Sequence, residues 1–227
     1  MGLNYYILDT ETCGLSVDYH EINQISVMRV CDEKQISIQI KVKHPNSYNI
    51  EALNIQGITP DDLKIGKPLE EAVEEINIFL NEDGKTPAHR CIVAHNASFD
   101  RKFVYKAWDT VKKVFPSDLW ICTQSFAKRY IAKNSNGIKI AQAQIDGGVD
   151  NIKTDKNGKL KVKFGLNNFM VGVGLPLKSG SHQASVDVQN TKVLFNWLMN
   201  SGTEYLSLIE RVPHHDKKNI DLDINDF

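Results

Sequence analysis

The chain is short of the features that mark secreted, membrane-bound or strongly basic proteins. It has four cysteines, Cys13, Cys31, Cys91 and Cys122, and no pair has the C-x-x-C spacing of a structural zinc site. Thiols this sparse read as reduced, in a reducing compartment. No basic stretch followed by a long apolar run opens the sequence, so no signal peptide is expected. No apolar run approaches the roughly 18 residues of a membrane span. A cytoplasmic protein with no membrane partner is the expectation. Charge of one sign is also lacking: the net is −1, so charge alone does not announce a nucleic-acid binder. A phosphate-handling enzyme that uses metal ions has less need of such a surplus. No internal repeat is visible.

What is present is ordinary for a globular chain. Apolar residues make up 41% and charged residues 24% of 227 positions, enough for one core. Residues 3–8 form a short apolar and aromatic run ending in acid, which predicts a buried central strand. Residues 22–31 and 35–42 are β-rich and joined by Asp32-Glu33-Lys34, as in an antiparallel hairpin. Apolar residues at helical spacing predict a helix over 69–80, ended by residues 81–84. A strand at 91–94, a helix from Ser98, a strand at 119–122, a helix over 124–131 and a last helix over 185–199 follow. Antiparallel strands first, then strands alternating with helices, describe an α/β fold, a mixed sheet with helices on both faces.

Three groups of acids invite a functional reading. Asp9 and Glu11 are two apart on the first strand, so they project from the same face while Thr10 faces away. Adjacent carboxylates repel, and a divalent cation removes that conflict. Oxygen ligands of this kind suit Mg²⁺ or Mn²⁺. A solvated acid pair is the plainer reading of Asp9 and Glu11 alone. Asp100 falls in the first turn of a helix after a strand ending at Ala94, where acids also sit for dipole reasons; Asn96 or Ser98 could be a simple cap. His182 and Asp187 would lie about 140° apart on one continuous helix. The sequence therefore predicts His182 in an entry loop and Asp187 in the first helical turn.

Taken together, these segments resemble a family. Leu8-Asp9-Thr10-Glu11-Thr12-Cys13-Gly14-Leu15, Ala94-His95-Asn96-Ala97-Ser98-Phe99-Asp100 and His182-Gln183-Ala184-Ser185-Val186-Asp187 are similar, in order and spacing, to the three motifs of the DEDD superfamily of DnaQ-like 3′–5′ exonucleases. Ile55-Gln56-Gly57-Ile58-Thr59 resembles the segment this family places between the first two. His182 is five residues before Asp187, and Gln183 stands where a second subgroup has tyrosine, so the resemblance is to the histidine subgroup (DEDDh). It covers roughly residues 5–199, except around 134–163. It implies a ribonuclease H-like fold and a hydrolase acting on nucleic-acid 3′ ends. It implies two divalent ions, Mg²⁺ or Mn²⁺, held by Asp9, Glu11, Asp100 and Asp187, with His182 as general base. Thr12, Cys13, Gly14, Leu15, Gln56, Ile58 and Asn96 would contact the terminal nucleotide, though Leu15 and Ile58 read equally well as core residues. Single-stranded DNA is the expected substrate. An RNA-trimming exoribonuclease and a catalytically silent nucleic-acid-binding scaffold are the alternatives; a complete set of four acids and His182 argues against the scaffold.

Two regions stand apart from the exonuclease domain expected over residues 1–200. Residues 134–163 are rich in Asn, Gly, Gln and Lys, and an Asn-Gly turn signal at 157–158 predicts a protruding hairpin. Lys159, Lys161 and Lys163 would share one face of it, as a track for single-stranded substrate or as a lysine-protected edge strand. Residues 201–227 form a C-terminal extension, ending in alternating apolar and acidic residues from Ile220 to Phe227. That tail reads as a disordered end or as a peptide docked by a replication partner. A homodimer is compatible with the chain.

Overall fold

The computed structural model describes residues 2–180 and 183–214. His182 and the acidic end of the tail lie outside the described residues. Six strands form one mixed sheet in the order β3-β2-β1-β4-β5-β6. β1 (Asn4–Thr12) is central. β2 (Ile22–Arg29) and β3 (Gln35–Gln39) follow as an antiparallel hairpin, whereas β4 (Arg90–Ala94) and β5 (Leu119–Cys122) run parallel to β1. β6 (Glu210–Arg211) pairs antiparallel with β5, so the chain beyond residue 200 supplies an edge of the sheet. β3 stops at Gln39, short of the predicted Val42; the Ile40 N–H still donates to the Asn23 carbonyl (2.8 Å), but Ile40 bridges Lys67 on its other side.

The alternation of β1 explains both layers. Tyr6 and Leu8 face one way, into a core closed by Ile76 and Leu80 of α2 (Leu69–Asn81) and by Phe103, Val104 and Trp108 of α3 (Ala97–Thr110). Ile7 faces the other way, with Val93 and Ile121, against Phe126 of α4 (Thr123–Asn134), Phe169 of α6 (Leu166–Gly172) and Leu194 of α7 (Ala184–Asn200). Both faces of β1 are covered, which is why its sequence reads as a continuous apolar run until Asp9.

Three helices were not legible as such. α1 (Ile50–Gln56), ended by Gly57 at φ 69°, precedes the Ile58 turn. α6 is too short to show a period. α5 (Gly137–Asp146) occupies the stretch expected to be a hairpin. Its Ile140, Ala141 and Gln144 are buried at helical spacing, and the polar residues between them masked the pattern. What survives of the hairpin is one bridge, Thr154 to Leu160, closed by the predicted Asn157-Gly158 turn.

Candidate active site

Asp9 and Glu11 lie near the C-terminal end of β1, opposite Ser26 and Gln24 of β2. Their side chains point to the α7 face. At Glu11/Thr12 the register shifts, and the chain turns out of the sheet. The Thr12 hydroxyl donates to the Gly14 carbonyl (2.7 Å). A Cβ on Gly14 would lie 2.5 Å from Nε2 of His20, so only glycine lets that ring close on the turn.

α7 brings the third acid. Its N-terminus has no side-chain cap of its own. Instead Gln24 Oε1 accepts the Ala184 N–H (2.8 Å), and Gln35 Nε2 donates to the Ser185 carbonyl (2.9 Å). Two glutamines of the hairpin thus dock the first turn of α7 over β1, with Asp187 in that turn and nine-tenths buried. One oxygen each from Asp9, Glu11 and Asp187 lie within 4.8 Å of one another.

Asp100 arrives from the other side. Asn96 adopts the left-handed conformation (φ 65°, ψ 47°) just before α3 and makes no side-chain cap bond. Asparagine tolerates that region better than most residues. The turn it makes sets Asp100 in the first turn of α3, only 3% exposed. There Oδ1 of Asp100 accepts both the backbone N–H and the hydroxyl of Thr10 (3.0 and 2.9 Å). Asp100 is therefore beside the trio rather than within its 4.8 Å circle.

The charges are felt across the whole group. Burial holds Asp9 well above the usual carboxylate range, and Asp100, Glu11 and Asp187 push it further. Burial, then Asp187 and Asp100, raise Glu11 to about 8. Burial raises Asp100 as well, although the two Thr10 bonds pull it back. Carboxylates this close and this dry keep protons unless a cation offsets them. The donor set, all hard oxygen, fits Mg²⁺ or Mn²⁺.

The remaining predicted residues separate into distinct places. Gln56 and Ile58 line a pocket of about 250 Å³ with Glu11, Asn23, Gln24, Gln39 and Gln183. Gln56 Nε2 donates to the Thr12 carbonyl (2.8 Å), so its Oε1 is free to accept from Asn23 Nδ2 (2.8 Å). Leu15 is 77% exposed, beyond the turn. Cys13 is fully buried, and its thiol donates to the Ser47 carbonyl (3.3 Å); it holds the turn and cannot touch a ligand. A larger cavity of about 540 Å³, between the loop at 18–21 and α3, includes none of the four acids in its lining.

Several residues of the site carried no signal. Thr10 looked like the idle residue between two acids. Gln24 and Gln35 are polar positions in a hairpin, and only tertiary contact shows that they seat α7. His95 is the fourth. Its Nε2 lies 2.7 Å from the Phe164 carbonyl and its Nδ1 2.9 Å from the Thr123 hydroxyl. A carbonyl can only accept, so Nε2 carries the proton and Nδ1 accepts from Thr123. Burial lowers this histidine to about 4, in keeping with a neutral ring.

A mixed sheet flanked by helices, with carboxylates converging at the end of its central strand, defines a ribonuclease H-like nuclease. Comparison with known proteins narrows the class. The exonuclease family model (RNase T type) matches residues 6–195. The PolC-type DNA polymerase III of Streptococcus pneumoniae is 30% identical over 236 residues, covering 92% of this chain. That of Thermotoga petrophila is 30% identical over 135 residues, 58% of this chain. The chain spans only 15% and 9% of the length of these two relatives. Escherichia coli exonuclease I, solved with a dA16 oligonucleotide, superposes with a TM-score of 0.65 at 17% identity, over 88% of this chain and 41% of that one. The chain belongs to the exonuclease family, among the DnaQ-like 3′–5′ exonucleases. Among the described residues, no helix is long and apolar enough to cross a membrane.

Proposed function

We propose that the chain removes nucleotides from the 3′ end of single-stranded DNA, releasing nucleoside 5′-monophosphates. The observation that carries this reading is the meeting of Asp9 and Glu11 on β1 with Asp187 on α7, and Asp100 beside them. The names of the relatives, DNA polymerases, and of a structural neighbour bound to dA16 favour DNA.

Asp9, Glu11, Asp187 and Asp100 would together hold two divalent ions. Bound divalent ions supply a water of lowered pKa and neutralise charge building on the phosphoryl and leaving oxygens. The buried carboxylates fix that charge distribution in advance, so little reorganisation is needed during reaction. His182 would take the proton of the attacking water. It must be neutral to do so, and activity should fall at acid pH. Leu15, exposed at the rim, and the amide-lined pocket beside Glu11 would seat the terminal nucleotide.

The test is a digest of end-labelled single-stranded DNA, duplex DNA and RNA, with and without Mg²⁺, with Asp9→Ala as control. Stepwise, Mg²⁺-dependent shortening of the single-stranded DNA, lost in Asp9→Ala, is expected. Faster shortening of RNA would replace the substrate assignment. Cleavage that persists in Asp9→Ala would overturn the site. His182→Ala should lose most turnover while its thermal unfolding is unchanged; full turnover would remove His182 from the chemistry.

A further inference from the structure

The segment between α5 and α6 concentrates a charge that the chain as a whole does not have. Between residues 150 and 163 there are five lysines against two aspartates, in a chain of net charge −1. The arm has two faces. Its backbone pairs Asp155 N–H with the Lys159 carbonyl and Lys161 N–H with the Lys153 carbonyl (2.8 Å each), with Thr154 bridging Leu160. Residues directly opposite share a face, so Lys153 and Lys161 stand together, with Lys159 on the same side. Lys153, Lys159 and Lys161 are exposed, whereas Ile152, Leu160 and Val162 are half-buried and Val162 packs against the core. The one acid on the lysine face, Asp155, is tied into the turn, accepting the N–H groups of Asn157 (2.8 Å) and Lys159 (2.9 Å).

The base of the arm is tied to α5 and to the turn that precedes α3. Buried Gln144 of α5 accepts the Lys163 N–H (3.0 Å) and donates to the Lys163 and Asn168 carbonyls. The next carbonyl, that of Phe164, accepts the Nε2–H of His95, which stands five residues before Asp100. At no more than about 3.3 Å per residue, Lys161 lies within roughly 10 Å and Lys159 within roughly 17 Å of that joint.

We infer that this lysine face binds the sugar–phosphate backbone of single-stranded nucleic acid upstream of the end being cut. It rests on the exonuclease reading and adds to it a dependence on substrate length. Phosphate contacts of this kind tolerate any sequence and weaken with salt. A dinucleotide has one phosphodiester, the bond being cut, so upstream phosphates for these lysines exist only on longer strands.

The test is the triple variant Lys153→Ala/Lys159→Ala/Lys161→Ala in the full chain. Binding of a labelled single strand of about 20 nucleotides is followed without divalent metal across a KCl series. Each lost contact should flatten the slope of log affinity against log salt by about 0.7, giving about 2 in all. With Mg²⁺, kcat/KM should fall about tenfold on the long strand and stay unchanged on a dinucleotide. An unaltered salt slope, or an equal loss on both lengths, would overturn the arm as a binding face. Should the wild type cut neither substrate, the exonuclease reading fails, and the salt slope still decides the arm.

Discussion

Both donors of Thr10, its backbone N–H and its hydroxyl, converge on one oxygen of Asp100 at 3.0 and 2.9 Å. β1 therefore handles all four acids: it carries two on one face, receives Asp187 over that face, and grips the fourth from the other. Thr10→Val keeps the shape and the backbone bond but removes the hydroxyl. We expect kcat to fall about tenfold, the scale on which residues orienting metal ligands act. Unfolding free energy should change by about 1 kcal/mol at most. A Mg²⁺ titration of activity checks this, and an unchanged kcat would show that the hydroxyl is dispensable.

The crowded carboxylates make metal-free stability depend on pH. Glu11 is raised to about 8 when folded, against about 4.3 in an open chain. Its native state keeps a proton that the unfolded state releases, so ΔG of unfolding falls as pH rises towards 8. Between pH 6.5 and 8 the metal-free protein should lose on the order of 1–2 kcal/mol. Glu11→Gln should flatten that slope, and Mg²⁺ should reverse it in the wild type. Urea melts at the two pH values, with and without Mg²⁺, give the answer; a metal-free protein as stable at pH 8 as at 6.5 would contradict it.

His95 titrates in the opposite sense. Lowered to about 4 by burial, it resists protonation in the fold but not in the open chain. Its contribution is whole above about pH 6.5 and is lost as pH falls towards 4. His95→Phe should cost roughly 2 kcal/mol at neutral pH, through two hydrogen bonds removed, and should show a smaller further loss on acidification. If the variant and the wild type lose stability in parallel between pH 6.5 and 4, His95 is not the acid-sensitive joint.

The docking of α7 predicts a fourth effect. Gln24→Leu removes the acceptor of the Ala184 N–H and frees the turn that carries Asp187. Mn²⁺ affinity measured by calorimetry should weaken about tenfold, with a stability loss of about 1 kcal/mol. Gln35→Leu, which removes the neighbouring bond to Ser185, should act in the same direction. Affinity equal to wild type in both variants would show that Asp187 needs no such support.

How much of this was written in the chain depends on the range of the forces involved. Asp9, Glu11, Asp100 and Asp187 were legible because each sits where a local rule puts it: strand alternation for the first two, the first turn of a helix for the others. α5 was not, because its buried Gln144 satisfies carbonyls that lie 19 and 24 positions along the chain, and so reads as a polar loop residue. β6 is two residues long and exists only because β5 has an edge to fill. Thr10 and Gln24 belong to the same class: their partners are 90 and 160 residues away.

The central strand has one further consequence. Its odd positions carry Ile7 into the α7 layer and then present Asp9 and Glu11, while its even positions carry Tyr6 and Leu8 and the Thr10 grip. A slip of one residue would send Asp9 and Glu11 into the layer formed by α2 and α3 and turn Thr10 towards α7. Register errors here would be fatal twice over, to the fold and to the catalyst. Insertions and deletions should therefore be purged from β1 during descent, while length changes are better tolerated at the exposed tip of the arm, around residues 156–158.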